Sequence, residues 1–317
     1  MHKIVVLDGA VLNPGDLSWT PLEALGSLTV YDRTPGKMIL SHIGDADIVL
    51  TNKTPLTAET LAAAPKVKFI GALGTGFNSI AIGAAKSLGV AVANVPSYST
   101  HDVAQFTMAL LLEVCHRIGD HSRGVQAGEW ARSRDFCYWD YPQMELFGKT
   151  FGVIGMGRIG QAAAKLAEAF GMKVLYYSRH EKELPFPAEF VDLDTLLRES
   201  DFVSLHCPLT PQDRGLIGRE KIGKMKDGAI LLNTSRGSLI DEEAVADALK
   251  SGKLYAFAAD VLPQEPMRAD SPFLGLDNAI LTPHIAWASR AARKRLLDVT
   301  VSNIAAFLEG KVQNRVE

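Results

Sequence analysis

Hydrophobic and polar positions follow two periods along this chain, and the two take turns. Apolar runs at 4–7, 48–50, 69–72 and 90–95 have the length of buried strands. Between them, apolar residues three and four apart predict helices at 57–64 and 80–88. A longer helical stretch runs from about Asp102 to Gly119, with Val103, Phe106, Leu110 and Val114 on one face. Strand-like runs resume up to Ile154 and at 174–177, 202–206, 230–233, 255–261 and 280–281. From about Trp287 an amphipathic helix follows, carrying Ala291, Leu296, Leu297, Val299, Ile304 and Phe307. Strand and helix in alternation predict an α/β protein with parallel sheets. At 317 residues the expectation is two domains. The last helix is too short to be a domain and is expected to return to the first segment. The predicted division is one domain of 1–97 and 287–317, with a second of 98–286 inserted into it and hinges near Pro96 and Ala286. The segment 126–145 follows neither period and is rich in aromatics (Trp130, Phe136, Tyr138, Trp139, Tyr141), which suits a packed loop or an oligomer arm.

Within the inserted domain stands Phe151-Gly152-Val153-Ile154-Gly155-Met156-Gly157-Arg158-Ile159-Gly160. An apolar strand ends at Ile154, a G-x-G-x-x-G follows, and a helical period begins (Ile159, Ala163, Leu166, Ala167, Phe170). Strand, glycine loop and helix are the context of a dinucleotide-binding fingerprint. Gly155 allows the tight turn, Gly157 the approach of a pyrophosphate, and Gly160 close packing of helix on strand. The N–H groups at Arg158, Ile159 and Gly160 then face the phosphates.

Composition narrows the choice. Charged residues are 22%, hydrophobic ones 47%, and the net charge is −3, which argues against a nucleic-acid or anionic-membrane partner. No apolar run reaches the ~18 residues of a membrane span, and the N-terminus has no signal-peptide pattern. Cys115, Cys137 and Cys207 are too few and too irregular for a disulfide framework or zinc site, so reduced thiols in a cytoplasmic protein are expected, with no metal.

Three loop residues after apolar runs can carry chemistry. Arg236, in Leu232-Asn233-Thr234-Ser235-Arg236-Gly237, offers a planar cation for a carboxylate, or is a surface arginine. His284, in Thr282-Pro283-His284, can pass a proton either way, or is structural. Glu265, in Asp260-Val261-Leu262-Pro263-Gln264-Glu265-Pro266, can favour a protonated imidazole, or is a solvated loop residue.

These loops belong to an ordered set with Gly74-Thr75-Gly76, Asn94-Val95-Pro96, the glycine fingerprint and Cys207-Pro208-Leu209-Thr210. Together they resemble the D-isomer-specific 2-hydroxyacid dehydrogenase family over nearly the whole chain. Leu73-Gly74-Thr75-Gly76-Phe77-Asn78 and Phe136-Cys137-Tyr138-Trp139-Asp140-Tyr141-Pro142 are most similar to its glycerate dehydrogenase, or hydroxypyruvate reductase, branch. The resemblance implies two doubly wound parallel-sheet domains: a Rossmann cofactor domain inserted into a flavodoxin-like substrate domain. It implies hydride transfer between a nicotinamide and C2 of a small 2-keto or 2-hydroxy acid, in a cleft that closes at the hinges. Arg236 then binds the carboxylate and keto oxygen, His284 is the acid/base, and Glu265 orients it and favours its protonated form. Backbone N–H groups of Leu73, Gly74, Thr75 and Gly76 hold the carboxylate. Cofactor contacts are implied for Cys207, Pro208, Thr234, Ser235, Arg236, Asp260 and His284, and a homodimer through the cofactor domains.

One departure bears on the cofactor. NAD users of the family carry an acidic residue after the second strand, roughly 20 residues beyond the glycines. Here Ser178 stands there and Arg179 follows. Loss of the carboxylate and gain of an arginine favour NADP, or use of both cofactors. The alternative is that Arg179 points to solvent and NAD binds through Ser178. Other substrates of the family, such as D-lactate, remain a second reading, and a non-catalytic dinucleotide sensor on the same fold a third.

Overall fold

Strands form where the apolar runs are. The computed structural model describes residues 1–311 and 313–316. Its chain divides into two units, one of Met1–Ser99 with the residues from Trp287 on, the other Thr100–Ala286.

The first unit holds β1 (Lys3–Val6), β2 (Ser27–Val30), β3 (Ile48–Thr51), β4 (Phe69–Ala72) and β5 (Ala91–Ala93), all parallel, in the order β2-β1-β3-β4-β5. That is the flavodoxin-like order. Successive side chains point to opposite faces. Val5, Val49, Ile70 and Val92 pack under helices Ile39–Ile43, Ala58–Ala62 and Ile82–Ser87. Ile4, Val6, Ile48, Leu50 and Phe69 pack on the other face with Leu12, Leu22 and helix Arg290–Leu308. Burial on both faces is why these strands read as continuous apolar runs rather than alternating ones. The last helix does return to this unit, with the Phe307 ring 4.9 Å from that of Phe69. Arg293, on the same helix, is 6% exposed and forks onto Asp16 through two bonds of 2.6 Å. It also donates to the carbonyls of Leu12 (3.0 Å) and Ala288 (2.9 Å).

The second unit holds β6 (Thr150–Ile154), β7 (Lys173–Tyr177), β8 (Glu189–Phe190), β9 (Phe202–Leu205), β10 (Ala229–Asn233), β11 (Leu254–Ala259) and β12 (Ala279–Leu281). Their order is β12-β11-β10-β9-β6-β7-β8, again all parallel. The order reverses at β6, so the crevice beyond the carboxyl ends of β6 and β9 is the place such sheets bind ligands. Helices Thr100–His116 and Arg158–Ala169 cover Phe151, Val153, Tyr176, Phe202 and Ile230. Helices Leu193–Glu199, Arg219–Lys224 and Glu242–Lys250 cover Ile154, Val203, Leu205 and Phe257. No described helix is long and apolar enough to cross a membrane.

The structure differs from the expectation in three respects. The helix expected to reach Gly119 stops at His116, and a second runs Ile118–Gln126. Arg117 between them is left-handed (φ 48°), its guanidinium bonded to the Asp277 carbonyl (2.6 Å) and 4.9 Å from the centre of the Tyr141 ring. The segment 126–145, read as irregular, contains a short helix, Glu129–Arg132. β2 and β8 are edge strands that the apolar runs did not mark, because a half-exposed edge leaves too few apolar positions in sequence.

The Arg293 guanidinium, chiefly through its hydrogen bonds, holds the Asp16 carboxyl below its usual range. A depressed folded value stabilises above the unfolded value of ~3.9 and is lost as pH falls through the folded one. Asp16→Asn should therefore lower Tm at pH 7, and calorimetry should show the gap to wild type narrowing only below about pH 4. A gap that stays constant to pH 3 would contradict this.

Candidate active site

The glycine loop leaves β6 and enters helix Arg158–Ala169. Gly155 has φ 101°, a conformation that favours glycine, and a Cβ there would lie 2.5 Å from the Cys207 nitrogen. A Cβ on Gly160 would lie 2.2 Å from the Gly155 carbonyl oxygen, so the helix can approach the strand only with glycine. Gly157 is different, since nothing lies within 4 Å of where its Cβ would be. It caps the helix with no side-chain hydrogen bond. The first-turn N–H groups at Arg158, Ile159 and Gly160 therefore face open space with the positive end of the helix dipole. This cradle fits a pyrophosphate, and its residues are those expected to bind one.

Three neighbouring strands, β10, β11 and β12, carry Arg236, Glu265 and His284 just beyond their carboxyl ends. After β10, the buried Asn233 side chain folds the chain into a turn, accepting from Ser235 N (3.0 Å) and donating to the Arg236 carbonyl (3.0 Å). The Ser235 hydroxyl donates to the Cys207 carbonyl (2.7 Å), and Thr234 meets Thr107 hydroxyl to hydroxyl (2.8 Å). Thr107 donates to Val103 O (2.9 Å), so Thr234 is the donor in that contact. The turn leaves Arg236 exposed, and among the described residues its guanidinium has no carboxylate partner, only the Ser235 carbonyl (2.8 Å). It is available to an anion. A Cβ on Gly237 would lie 1.8 Å from the Leu262 carbonyl carbon, so this glycine is what lets the Glu265 loop lie against the Arg236 turn.

His284 Nδ1 lies 2.7 Å from Glu265 Oε2. A carboxylate only accepts, so Nδ1 carries the proton and Nε2 is left to exchange one. The other oxygen, Glu265 Oε1, accepts from Leu262 N (3.2 Å) and holds the carboxylate in its own loop. Both side chains are about a third exposed, 31% and 33%, within reach of a small molecule. His284 sits at φ 57° in a loop that Asp260 fastens. That carboxylate, 1% exposed, accepts from the Thr282 hydroxyl (2.6 Å), Ile285 N (2.8 Å) and Ala286 N (2.8 Å). Sequence reasoning gave Asp260 a place near the nicotinamide; its visible work is to hold the histidine loop. Burial pushes the His206 imidazole down to about 4, so it stays neutral near pH 7 and is no rival acid.

The loop expected to hold a carboxylate, residues 73–76, belongs to the first unit. Leu73 N donates to Thr51 O (2.8 Å) and Gly74 N to Ala72 O (2.9 Å), so these two expected donors are already engaged. The N–H groups of Thr75 and Gly76 have no acceptor among the described residues.

At the end of β7 the Ser178 hydroxyl donates to the His180 carbonyl. Arg179 and Glu181 are exposed. Cys207 is pushed up to about 11, chiefly by burial. Among the described residues no group of His, Cys, Asp and Glu could hold a metal ion.

Residues 108–286 match the model of the D-isomer-specific 2-hydroxyacid dehydrogenase NAD-binding domain. A hydroxypyruvate reductase of Blautia hydrogenotrophica is 51% identical over 99% of both chains. The chain belongs to the D-isomer-specific 2-hydroxyacid dehydrogenases. A glycerate dehydrogenase of Methylorubrum extorquens is 41% identical over 88% of both chains. The crystal structure of the TT0316 protein of Thermus thermophilus covers 99% of this chain and 100% of that one, at 36% identity and a TM-score of 0.87. As a member of this family the chain is an NAD(P)-dependent oxidoreductase, and the residues that match the NAD-binding model lie in its second unit.

Proposed function

We propose that this dehydrogenase reduces hydroxypyruvate and glyoxylate to D-glycerate and glycolate with NAD(P)H, and catalyses the reverse oxidations. The observation that carries the chemistry is the 2.7 Å pair of His284 and Glu265, on the two strands next in line to the one that presents Arg236, whose guanidinium has no carboxylate partner among the described residues. The substrate reading is supported by the 51% identical hydroxypyruvate reductase and the 41% identical glycerate dehydrogenase.

The bound nicotinamide supplies a hydride for C2 of the keto acid. The residues do the rest. Arg236 binds the carboxylate and keto oxygen and stabilises the negative charge that develops there. The N–H groups of Thr75 and Gly76, with no acceptor among the described residues, are the donors that the family resemblance assigns to a substrate carboxylate. Protonated His284 gives the Nε2 proton to the keto oxygen, so hydride and proton together yield the hydroxyl. In the reverse direction neutral His284 takes that proton back. Glu265 keeps Nδ1 protonated and the ring turned throughout.

The cofactor reading is NADPH in preference to NADH, or use of both. It rests on Ser178 in place of an acidic residue and on exposed Arg179 beside it, able to pair with a 2′-phosphate. The partner reading is a second copy. Trp130, Phe136, Trp139 and Phe147 are 53%, 88%, 66% and 74% exposed, aromatic side chains of the kind that interfaces favour. Free Cys115, Cys137 and Cys207 suit a reducing, cytoplasmic setting.

With hydroxypyruvate and NAD(P)H, His284→Ala should lower kcat at least tenfold, general acid catalysis being worth ~10²–10⁴, with cofactor affinity retained. Unchanged turnover would remove His284 from the mechanism. Arg179→Ala should weaken NADPH far more than NADH, and equal effects would leave Arg179 no part in selectivity. Light scattering should give twice the 34.3 kDa chain mass, and a monomer would overturn the dimer.

A further inference from the structure

The loop after β4 is held by its carbonyls. Leu73 O accepts from the Asn52 side chain (Nδ2, 2.5 Å), Gly74 O from Val95 N (3.0 Å), and Thr75 O from the Asn94 side chain (Nδ2, 2.8 Å). A trans peptide unit is planar, with its C=O and N–H pointing in opposite directions. Fixing three consecutive carbonyls therefore fixes the directions of the N–H groups of Gly74, Thr75 and Gly76. The first of these closes on Ala72 O; the other two have no acceptor among the described residues. A Cβ on Gly74 would meet nothing nearer than 3.9 Å, so the space beside the loop is open.

The two asparagines are themselves fastened. Asp8, 5% exposed, accepts from the backbone nitrogens of Asn52 (2.8 Å), Lys53 (2.7 Å) and Thr54 (2.8 Å), which sets Asn52 at the end of β3. Asn94 is gripped through its backbone. Its N–H donates to Asn314 O (3.1 Å), and its carbonyl accepts from Asn303 on the last helix (2.9 Å). Asn314 closes the ring by donating to Asn303 Oδ1 (2.8 Å).

We propose that Asn52 and Asn94 are positioning residues for the substrate carboxylate: Asn94 aims the Gly76 N–H group through the Thr75 carbonyl, Asn52 holds the Leu73–Gly74 peptide from which the Thr75 N–H follows, and Asn314 keeps Asn94 in place. Neither asparagine needs to touch substrate. The inference rests on the reading above that this loop takes the carboxylate. A purely structural role predicts something else, a lower Tm with the affinity for keto acid unchanged.

The test uses the full chain, steady-state kinetics at saturating cofactor, and calorimetric binding of oxalate as a non-reducible carboxylate probe. Asn94→Ala and Asn52→Ala should each raise KM for hydroxypyruvate about tenfold, the scale of a weakened hydrogen bond to a charged group. They should leave kcat within about threefold and KM for NAD(P)H unchanged, and weaken oxalate in parallel. Asn94→Asp keeps the shape but has no donor for Thr75 O, and should raise KM at least as much as Asn94→Ala. Asn314→Ala should shift KM the same way by less, and with Asn52→Ala it carries the test should Asn94→Ala not fold. Unchanged KM and oxalate affinity in these variants, with or without a fall in Tm, would overturn the proposal. So would a loss confined to kcat. A wild type that reduces no 2-keto acid would overturn the function proposed above; oxalate binding would then decide this inference, and failure of oxalate to bind the wild type would overturn it as well.

Discussion

A buried carboxylate needs its hydrogen bonds, since an ionised group out of water without them is very costly. Asp260 meets that need with Thr282, Ile285 and Ala286, all in the segment that carries His284. The requirement works in both directions: the carboxylate holds the segment, and the segment cannot leave without stranding the carboxylate. His284 is thus kept at an uncommon positive φ, with Nδ1 on Glu265. Glu265 in turn lies where it does because Gly237 has no side chain to push the Leu262 backbone away. His284, Glu265 and the turn that carries Arg236 are one packed assembly on the ends of β10, β11 and β12.

The first unit repeats the device. Asp8 comes just past the end of β1, one residue on, and Asp260 directly follows β11, and each is nearly fully buried. Each collects backbone N–H groups from a loop next door and makes that loop rigid. In the second unit the fixed loop presents a side chain, the His284 imidazole. In the first, the fixed Asn52 acts on a further loop that presents backbone N–H groups. The parallel sheet explains the arrangement, because it gathers the carboxyl ends of its strands, with their loops, along one edge.

Much of this was legible in the sequence, for a physical reason. Parallel strands covered on both faces are apolar throughout, so most of the strands stood out as short runs, and the glycine loop marked the first strand of the inserted unit's sheet. The exposed edges, β2 and β8, gave no such run. The break at Arg117 depends on Asp277 and Tyr141, remote in sequence, and no local pattern records it. In the site, Arg236, Glu265 and His284 could be picked out by chemistry and by their places after apolar runs. What Asp260 does could not, because its partners become partners only when β11 and β12 lie side by side. Asn52 carried no signal at all. Asn94 stood in a motif that marked the family but not the task, which depends on where the Thr75 carbonyl falls.

The most direct test of the account is a double-mutant cycle between Asp260→Asn and His284→Ala, read in kcat with a 2-keto acid and saturating cofactor. If Asp260 acts by holding the His284 loop, Asp260→Asn will bring kcat to within a few-fold of His284→Ala, and the double variant will be no slower than His284→Ala alone. Losses that multiply, so that the double variant is slower by the product of the two single effects, would contradict it.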